Sequence, residues 1–273
     1  MNKMKFILGA SVAIAAALLL AGCEAKPSEA KTLRLATYNV GAFRKYPTSS
    51  IDQMVKMMKE LDLDAISLNE LDSCNARGGA DIYQLKLFAD GMGNWPYQWG
   101  QALDYRGGGY GVGAAVKPEH KVIDKWSIQL PKSDDSEIRA LAVIETEDFV
   151  FCATHLGLSQ QSRADQMARI NEEIAHRYPA SDKPVFLCGD FNAEPESENI
   201  QSFLENWEQL TGTDVSFSTE KPRKCIDYIF RYRSSAPVEA VSTNVCYEFS
   251  SARPEDASDH FPVFLEVKLA RSK

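Results

Sequence analysis

The chain has 273 residues, 44% of them hydrophobic, and a formal net charge of −8 at pH 7. This length suits one large α/β domain or two small ones. The acidic balance argues against a dedicated nucleic-acid-binding protein, which usually presents a basic face. It does not exclude an enzyme that cleaves nucleic acid at a metal site, because bound cations supply local positive charge.

The first 31 residues predict an export signal and a tether. Lys3 and Lys5 precede an apolar run, 6–20, that is too short to span a membrane and ends in small residues. The ending "LAGC" resembles a bacterial lipobox, which implies cleavage before Cys23 and lipidation of its thiol. The alternative is a plain secretory signal that happens to carry a cysteine. Residues 24–31 are polar and predict a tether.

These features predict a lipid-anchored protein of the cell envelope. Glu24 rather than Asp after the cysteine favours the outer membrane, with no indication of which side the protein faces. The predicted organisation is a signal peptide over residues 1–22, the lipidated Cys23 with its tether over 23–31, and one domain over 32–273. No composition break after residue 31 indicates a linker.

Apolar runs alternate with helical patterns in the first half of the domain. Runs over 33–40, 64–71 and 110–117 predict strands, and apolar residues at helical spacing predict helices over 51–61 and 82–89. The "GGGYG" segment (107–111) is followed by no helix pattern and no GK[ST], so it predicts a flexible turn rather than a phosphate-binding loop.

The second half repeats the order of strand, helix and strand. Strands are predicted over 138–145, 148–156, 183–191, 225–232 and 260–269, and helices over 162–178 and 200–207. Ser162 with Asp165 resembles a capping box at the start of the longer helix. Mixed strands and helices of this kind form sheets covered by helices.

Five cysteines follow Cys23, and no CxxC or Cys/His spacing among them predicts zinc. Cys152 and Cys188 lie in apolar runs and are predicted in the core. Cys225 and Cys246 could pair in an oxidising compartment, which the sequence leaves open. His120 and His176 lie in polar contexts and are predicted on the surface. Trp95, Tyr97, Trp99 and Tyr105 flank a segment and could either stack on a ligand or pack in the core.

Polar side chains recur at the ends of the predicted strands, where a sheet presents side chains to a cleft. They are Asn39, Glu70, His155, Asp190, Asn192, Asp227, Asp259 and His260. The amides and carboxylates among them are hard oxygen ligands suited to Mg²⁺ or Mn²⁺, and the two histidines can exchange protons near neutral pH. Together they suit hydrolysis of a phosphate ester.

Seven motifs in order resemble the endonuclease/exonuclease/phosphatase, or deoxyribonuclease-I-like, superfamily: "TYNV", "LNELD", "GGYGVGAAV", "THL", "GDFNAEP", "IDYIF" and "SDHFPV". The resemblance spans roughly residues 33–267, and "GDFN" together with "SDH-P" is its most specific part. It implies a four-layer α-β-β-α sandwich of two mixed β-sheets with outer helices and the active site at one end.

The resemblance also implies roles for single residues. Glu70 is similar to the principal metal ligand, assisted by Asn39 and Asp259. Asp190 would orient or deprotonate the attacking water, Asn192 would hold a phosphoryl oxygen, and His155 would contact the phosphate or leaving group. Asp227 would fix the tautomer of His260, the essential histidine. Tyr110 and Arg139 match positions that contact the substrate.

The resemblance implies a phosphoesterase without choosing among nuclease, lipid phosphodiesterase and phosphatase, because the loops select the substrate. Arg77, Arg106, Arg139 and Arg163 could ring the cleft, but no basic stripe is present, so a small anionic substrate is favoured over duplex DNA. No protein partner is evident. The alternative is a catalytically inactive surface binding lipoprotein on the same fold.

Overall fold

The computed structural model describes residues 31–133, 137–221 and 223–270. Within these ranges twelve strands form two six-stranded sheets, and α-helices cover them. The predicted signal peptide and Cys23 lie outside the described residues. Among the described residues, no helix is both long and apolar enough to cross a membrane.

The first sheet has the strand order β11-β12-β1-β2-β4-β3. Its strands β1 and β2 run parallel, and the other neighbours are antiparallel. The strand bounds are β1 Thr32–Asn39, β2 Ala65–Ser73, β3 Tyr97–Tyr105, β4 Gly108–Val116, β11 Val238–Val245 and β12 Val263–Leu269.

The second sheet has the order β5-β6-β7-β8-β10-β9. Here β7 and β8 run parallel, and the other neighbours are antiparallel. The strand bounds are β5 Val122–Leu130, β6 Arg139–Thr146, β7 Val150–His155, β8 Val185–Asp190, β9 Trp207–Gln209 and β10 Asp227–Tyr232. Each sheet therefore contains one parallel pair near its centre.

Three apolar clusters separate four layers. α1 (Ile51–Glu60) and α2 (Gln84–Gly91) pack on the first sheet, and α3 (Gln160–Arg177) with α4 (Glu198–Phe203) pack on the second. Between the sheets, side chains such as Leu35 from β1 and Phe186 from β8 form a third cluster. This arrangement is the predicted α-β-β-α sandwich of two mixed sheets with outer helices.

The strands missed from the sequence are β3, β5, β9 and β11. All four are terminal strands of their sheets. Most side chains of β11 are exposed, and those of β5 alternate between exposed and partly buried. Because a terminal strand has one free edge and a solvated face, it lacks the apolar run by which a central strand is predicted from sequence.

Two helix boundaries correct the sequence predictions. The Ser162–Asp165 capping box was wrong, because Ser159 is the N-cap of α3 and its side chain accepts a hydrogen bond from the Ser162 N–H. The helix predicted over 200–207 ends at Phe203, and Trp207 begins β9. Ser159 and Ser162 have the same capping side chain, so the sequence pattern alone could not show which of the two begins the helix.

Two environments also differ from prediction. The "GGGYG" segment is mostly strand, because β4 begins at Gly108. A β-carbon at Gly111 would lie 2.1 Å from the Gly100 carbonyl oxygen, so the glycine permits close pairing with β3. His120 is buried and lies 2.8 Å from Asp64, whereas His176 is exposed as predicted.

The cysteines Cys152 and Cys188 are fully buried, as predicted, and all five described cysteines are free thiols. Of the four flanking aromatics, Trp95 lies in the core, and Trp99 and Tyr97 pack edge-on against Tyr83. Of these four aromatic residues, Tyr105 alone lines the site described below.

Candidate active site

The two parallel strand pairs end at the same place. Asn39 is the last residue of β1 and pairs with Asn69 of β2, the residue before Glu70. On the other sheet, His155 of β7 stands opposite Asp190 of β8. The carboxyl ends of adjacent parallel strands meet at one sheet edge, and the stacking of the two sheets brings both edges together.

Close backbone approach makes this alignment possible at β8. A β-carbon at Gly189 would lie 1.9 Å from the Thr154 carbonyl oxygen, so only glycine fits before Asp190. Gly189 is therefore the penultimate residue of the strand "VFLCGD", because the neighbouring strand lies too close for a side chain, and the last residue is the carboxylate Asp190.

Glu70 lies on an irregularity in β2. The pairing of β2 with β4 shifts between Leu68 and Leu71, and Glu70 has φ 60°, a left-handed conformation that is rare for a residue with a β-carbon. Such strained positions are concentrated at functional sites.

Asn39 joins the acids of the two sheets. Its Nδ2 atom donates to Glu70 Oε1 at 3.0 Å and to Asp190 Oδ2 at 3.1 Å. The same Nδ2 lies 3.4 Å from His260 Nε2. Asn39 Oδ1 accepts from the Gly41 N–H, which fixes the amide. One buried amide thus contacts three of the side chains assigned to the candidate site.

A buried relay ends at His260. Its Nδ1 lies 2.9 Å from Asp227 Oδ2, and Ser216 Oγ donates to the same carboxylate oxygen at 2.6 Å. On the other side of the ring, Nε2 lies 3.6 Å from Asp190 Oδ2. This geometry orients the imidazole and leaves Nε2 toward Asp190.

His155 lies between a cation and the other active-site groups. Arg139 donates to its Nδ1 at 3.3 Å, Asn192 Nδ2 lies 3.0 Å from its Nε2, and Asp190 Oδ2 is 3.5 Å from Nε2. Asn192 also has φ 50°, and its N–H donates to Asp190 Oδ1 at 2.9 Å. The turn after β8 therefore fixes both Asn192 and Asp190.

Burial separates the protonation properties of these groups. Burial, reinforced by the charge of Asp227, raises the pKa of Asp190 above its usual range. Burial alone would lower the pKa of His260, but Asp227 and Asp190 raise it. Burial, with Arg139 and His260 nearby, holds the pKa of His155 well below its usual value. Near neutral pH the site combines a charged His260 with a neutral His155.

These groups border a cleft of about 430 Å³. Every described residue that the sequence assigned to the site either lines this cleft or, like Asn39 and Asp227, hydrogen-bonds a residue that does. The predicted residues on its lining are Glu70, Tyr110, Arg139, His155, Asp190, Asn192, Asp259 and His260. Burial and then the charge of Glu70 raise the pKa of Tyr110, so its hydroxyl stays a hydrogen-bond donor.

The oxygen donors of the cleft suit a hard divalent cation. The carboxylates of Glu70 and Asp259 line the same cleft. Asn39 contacts Glu70 through its Nδ2 nitrogen, so its amide would have to turn to offer Oδ1 to a cation. A second acid–histidine group, Asp190, Asp227 and His260, has potential ligand atoms within 4.8 Å of one another. That group suits a proton relay better, because Asp227 Oδ2 is already occupied by Ser216 and the imidazole.

Several cleft residues were missed or only partly anticipated. Arg77 binds the buried Asp72 through two hydrogen bonds, at 2.9 and 2.7 Å, and lies 4.6 Å from the centroid of the Tyr105 ring. Of the other arginines expected around the cleft, Arg106 lies over Tyr105, and Arg163 binds main-chain carbonyl groups. Neither of these two lines the cleft.

Charged and aromatic side chains on loops complete the lining. Glu137 pairs with Arg139 at 3.0 Å, and the Phe217 ring centroid lies 4.7 Å from that of His260. Lys45 lies outside the lining and pairs with Asp259, which is part of it. No periodicity or motif marks loop residues of this kind, so the sequence offered no signal for them.

The sequence comparison decides the family. The model of the endonuclease/exonuclease/phosphatase family matches residues 36–260. The chain belongs to this family. The match runs from the middle of β1 to His260, so it includes all the described residues assigned to the site. A comparison with curated proteins gives no match.

Solved structures of family members have the same fold. A Bacteroides vulgatus endonuclease/exonuclease/phosphatase aligns with a TM-score of 0.69 and 20% identity, covering 88% of this chain and 100% of the other. The Bacteroides thetaiotaomicron mannosyl-6-phosphatase gives 0.68 and 17%, covering 86% and 99%. The human Nocturnin catalytic domain with bound sulfate gives 0.62 and 16%, covering 88% and 94%.

Proposed function

We propose that this family member is a divalent-metal-dependent phosphoesterase that hydrolyses its substrate by in-line attack of an activated water. The observation that carries the proposal is the position of Asp190. Its carboxylate lies 3.6 Å from His260 Nε2 and is bridged through Asn39 to Glu70, the proposed principal metal ligand. The proposed base, the proposed charged hydrogen-bond donor and the proposed metal ligand border one cleft, which supports the proposal.

Asp190 is the proposed general base. Its raised pKa makes the ionised carboxylate a stronger proton acceptor than a solvent-exposed aspartate. The Asn192 N–H and the Asn39 amide both donate to it, so its orientation is fixed before a substrate binds. A water molecule placed beside Asp190 would lose its proton to this carboxylate as it attacks phosphorus.

His260 is the proposed electrostatic partner of the phosphate. Because Asp227 stabilises the imidazolium, Nε2–H can donate to a phosphoryl oxygen as negative charge grows in the transition state. Asn192 and Tyr110 supply further neutral donors. The neutral His155 is proposed to contact the phosphate or the leaving group.

A divalent ion, Mg²⁺ or Mn²⁺, would be held by Glu70 with Asn39 and Asp259, where it would neutralise phosphate charge and favour ionisation of water. The residues of the chain supply the orientation. Asn39 holds Glu70, and the backbone irregularity in β2 fixes the position of this glutamate.

The proposed substrate is a small anionic phosphate ester rather than duplex DNA. The cleft is compact, and its arginines Arg77 and Arg139 are already paired with acids. One of the similar solved structures is named as a mannosyl-6-phosphatase, and this name supports a sugar phosphate or another small phosphate ester as the substrate class here. Anchoring to the cell envelope, and to the outer membrane in particular, through a lipid on Cys23 is part of the proposal, as is a single domain from residue 32.

The test is hydrolysis of a panel of phosphate esters by the purified protein with Mg²⁺, Mn²⁺ or a chelator. The panel contains a phosphomonoester, a generic phosphodiester, plasmid DNA, a choline phospholipid and an inositol phosphate. We expect metal-dependent turnover that His260→Ala abolishes and His176→Ala, at an exposed histidine outside the cleft, leaves unchanged. A folded protein that binds metal and ligand without turning over any ester would support the alternative, a binding lipoprotein on the same fold.

A further inference from the structure

The cations that line the cleft differ in whether an acid neutralises them. Arg77 is paired with Asp72, Arg139 with Glu137, and His260 with Asp227. Lys224 also lines the cleft and is exposed. Across the described ranges it is the one cleft-lining cation for which no side-chain hydrogen bond or ion pair is found. Its full positive charge is therefore available to a ligand.

The backbone holds Lys224 beside the relay histidine. The N–H of Lys224 donates to the Phe217 carbonyl at 2.8 Å, and the Phe217 N–H donates back at 3.0 Å. Phe217 also forms a β-bridge with His260 and packs its ring against the imidazole. Phe217 and Lys224 belong to the segment 216–224, which begins at Ser216, whose hydroxyl donates to Asp227. The backbone from which Lys224 extends is thus tied to the relay, while its side chain stays free.

We propose that Lys224 binds a non-bridging oxygen of the substrate phosphate and gives the cleft a preference for dianionic phosphomonoesters over monoanionic phosphodiesters. This inference rests on the proposed phosphoesterase function and specifies its substrate class. A phosphomonoester carries a second negative charge above a pKa near 6, whereas a diester never does. The unpaired ammonium group of Lys224 attracts a dianionic phosphate more strongly than a monoanionic one, so it distinguishes the two ester classes.

Alternative anchors for the second charge are weaker. The guanidinium of Arg77 is bound on two nitrogens by Asp72 and stacked on Tyr105, so turning it toward a ligand would leave a fully buried carboxylate unpaired. Arg139 is itself buried and is engaged by Glu137 and His155. Lys224 can contact a phosphate without breaking any interaction within the described part of the protein.

The test measures ligand binding, so it does not depend on turnover. Isothermal titration calorimetry of the Mg²⁺-loaded protein at pH 8 would measure its affinity for two ligands. Inorganic phosphate is the dianion, and dimethyl phosphate is the monoanion. We expect Lys224→Met to reduce the preference for inorganic phosphate about tenfold, the effect of losing one close charge pair. Lys224→Arg should keep most of the preference.

Arg223→Met is the matched control, because Arg223 is the adjacent exposed cation of the same segment and does not line the cleft. It should leave the preference unchanged. Equal weakening of both ligands by Lys224→Met, or no weakening of either, would overturn the inference. The proposed function has a separate readout, since hydrolysis sensitive to His260→Ala would then still stand.

Discussion

His260 Nδ1 and Asp227 Oδ2 lie 2.9 Å apart in a pair whose two side chains are almost completely buried. A buried carboxylate that accepts from one imidazole nitrogen fixes the ring and stabilises its positive charge, so the other nitrogen becomes a donor of constant direction. The pair is formed by residues 33 positions apart on β10 and the segment before β12.

Replacing Asp227 with Asn tests this relay. We expect kcat for metal-dependent ester hydrolysis to fall by about 10²–10⁴-fold, the range for loss of a positioned proton-transfer group. The pKa of His260 should fall as well, because Asp227 raises it against the effect of burial. NMR titration of the imidazole measures this shift. Asp214→Asn, at an exposed acid, is the control, and an unchanged His260 pKa would contradict the relay.

Replacing Glu70 with Gln tests the metal site. We expect the affinity for Mn²⁺ to fall by about tenfold or more, since even the loss of a residue that only supports a metal ligand has this effect. Calorimetric titration of the wild-type protein and the variant measures it. Glu194→Gln removes the same charge from an exposed position outside the cleft lining and should bind Mn²⁺ normally. Equal affinities in the Glu70 and Glu194 variants would exclude Glu70 as a ligand.

Replacing Gly189 with Ala tests the close approach of β7 and β8. The new methyl group would lie 1.9 Å from the Thr154 carbonyl oxygen, so the two central strands must separate. We expect the free energy of unfolding in urea to fall by about 3 kcal/mol. Gly212→Ala is the control, because its nearest neighbour atom would be 3.9 Å away. Equal stability of the two variants would show that the strand pair accommodates a side chain.

The buried His120–Asp64 contact predicts a pH-dependent contribution to stability. Burial alone would raise the pKa of Asp64, but hydrogen bonds from His120 and the Arg34 N–H hold it below its usual value. A lowered folded-state pKa stabilises the protein above about pH 4, and this stabilisation disappears as the pH falls through the folded value.

We therefore expect Asp64→Asn to lower the free energy of unfolding by about 1 kcal/mol at pH 7 and by less at pH 3. Urea unfolding at both pH values measures the difference. Asp182→Asn, at an exposed acid, should have little effect at either pH. A loss of the same size at pH 3 as at pH 7 would mean that the carboxylate charge is not the source of the stabilisation.

Much of the fold and site followed from local patterns. Central strands such as β8 are continuous apolar runs, and the change to Asp190 at their end is visible in the letters themselves. The terminal strands β5 and β11 were missed because their solvated faces remove that signal. His120 was misplaced because its burial depends on Asp64 and Phe149, which are distant in sequence.

The sequence by itself determined the family motifs, the order of the central strands and helices, and the chemistry available at each strand end. Only the tertiary structure decided how these groups meet. The Asn39–Asp190 contact spans 151 positions and two sheets, Glu70 depends on a register shift against β4, and the free charge of Lys224 depends on acids placed beside the other cleft cations. The physical reason is that these contacts depend on the packing of whole sheets and loops, whereas a sequence pattern reports only the surroundings of neighbouring residues.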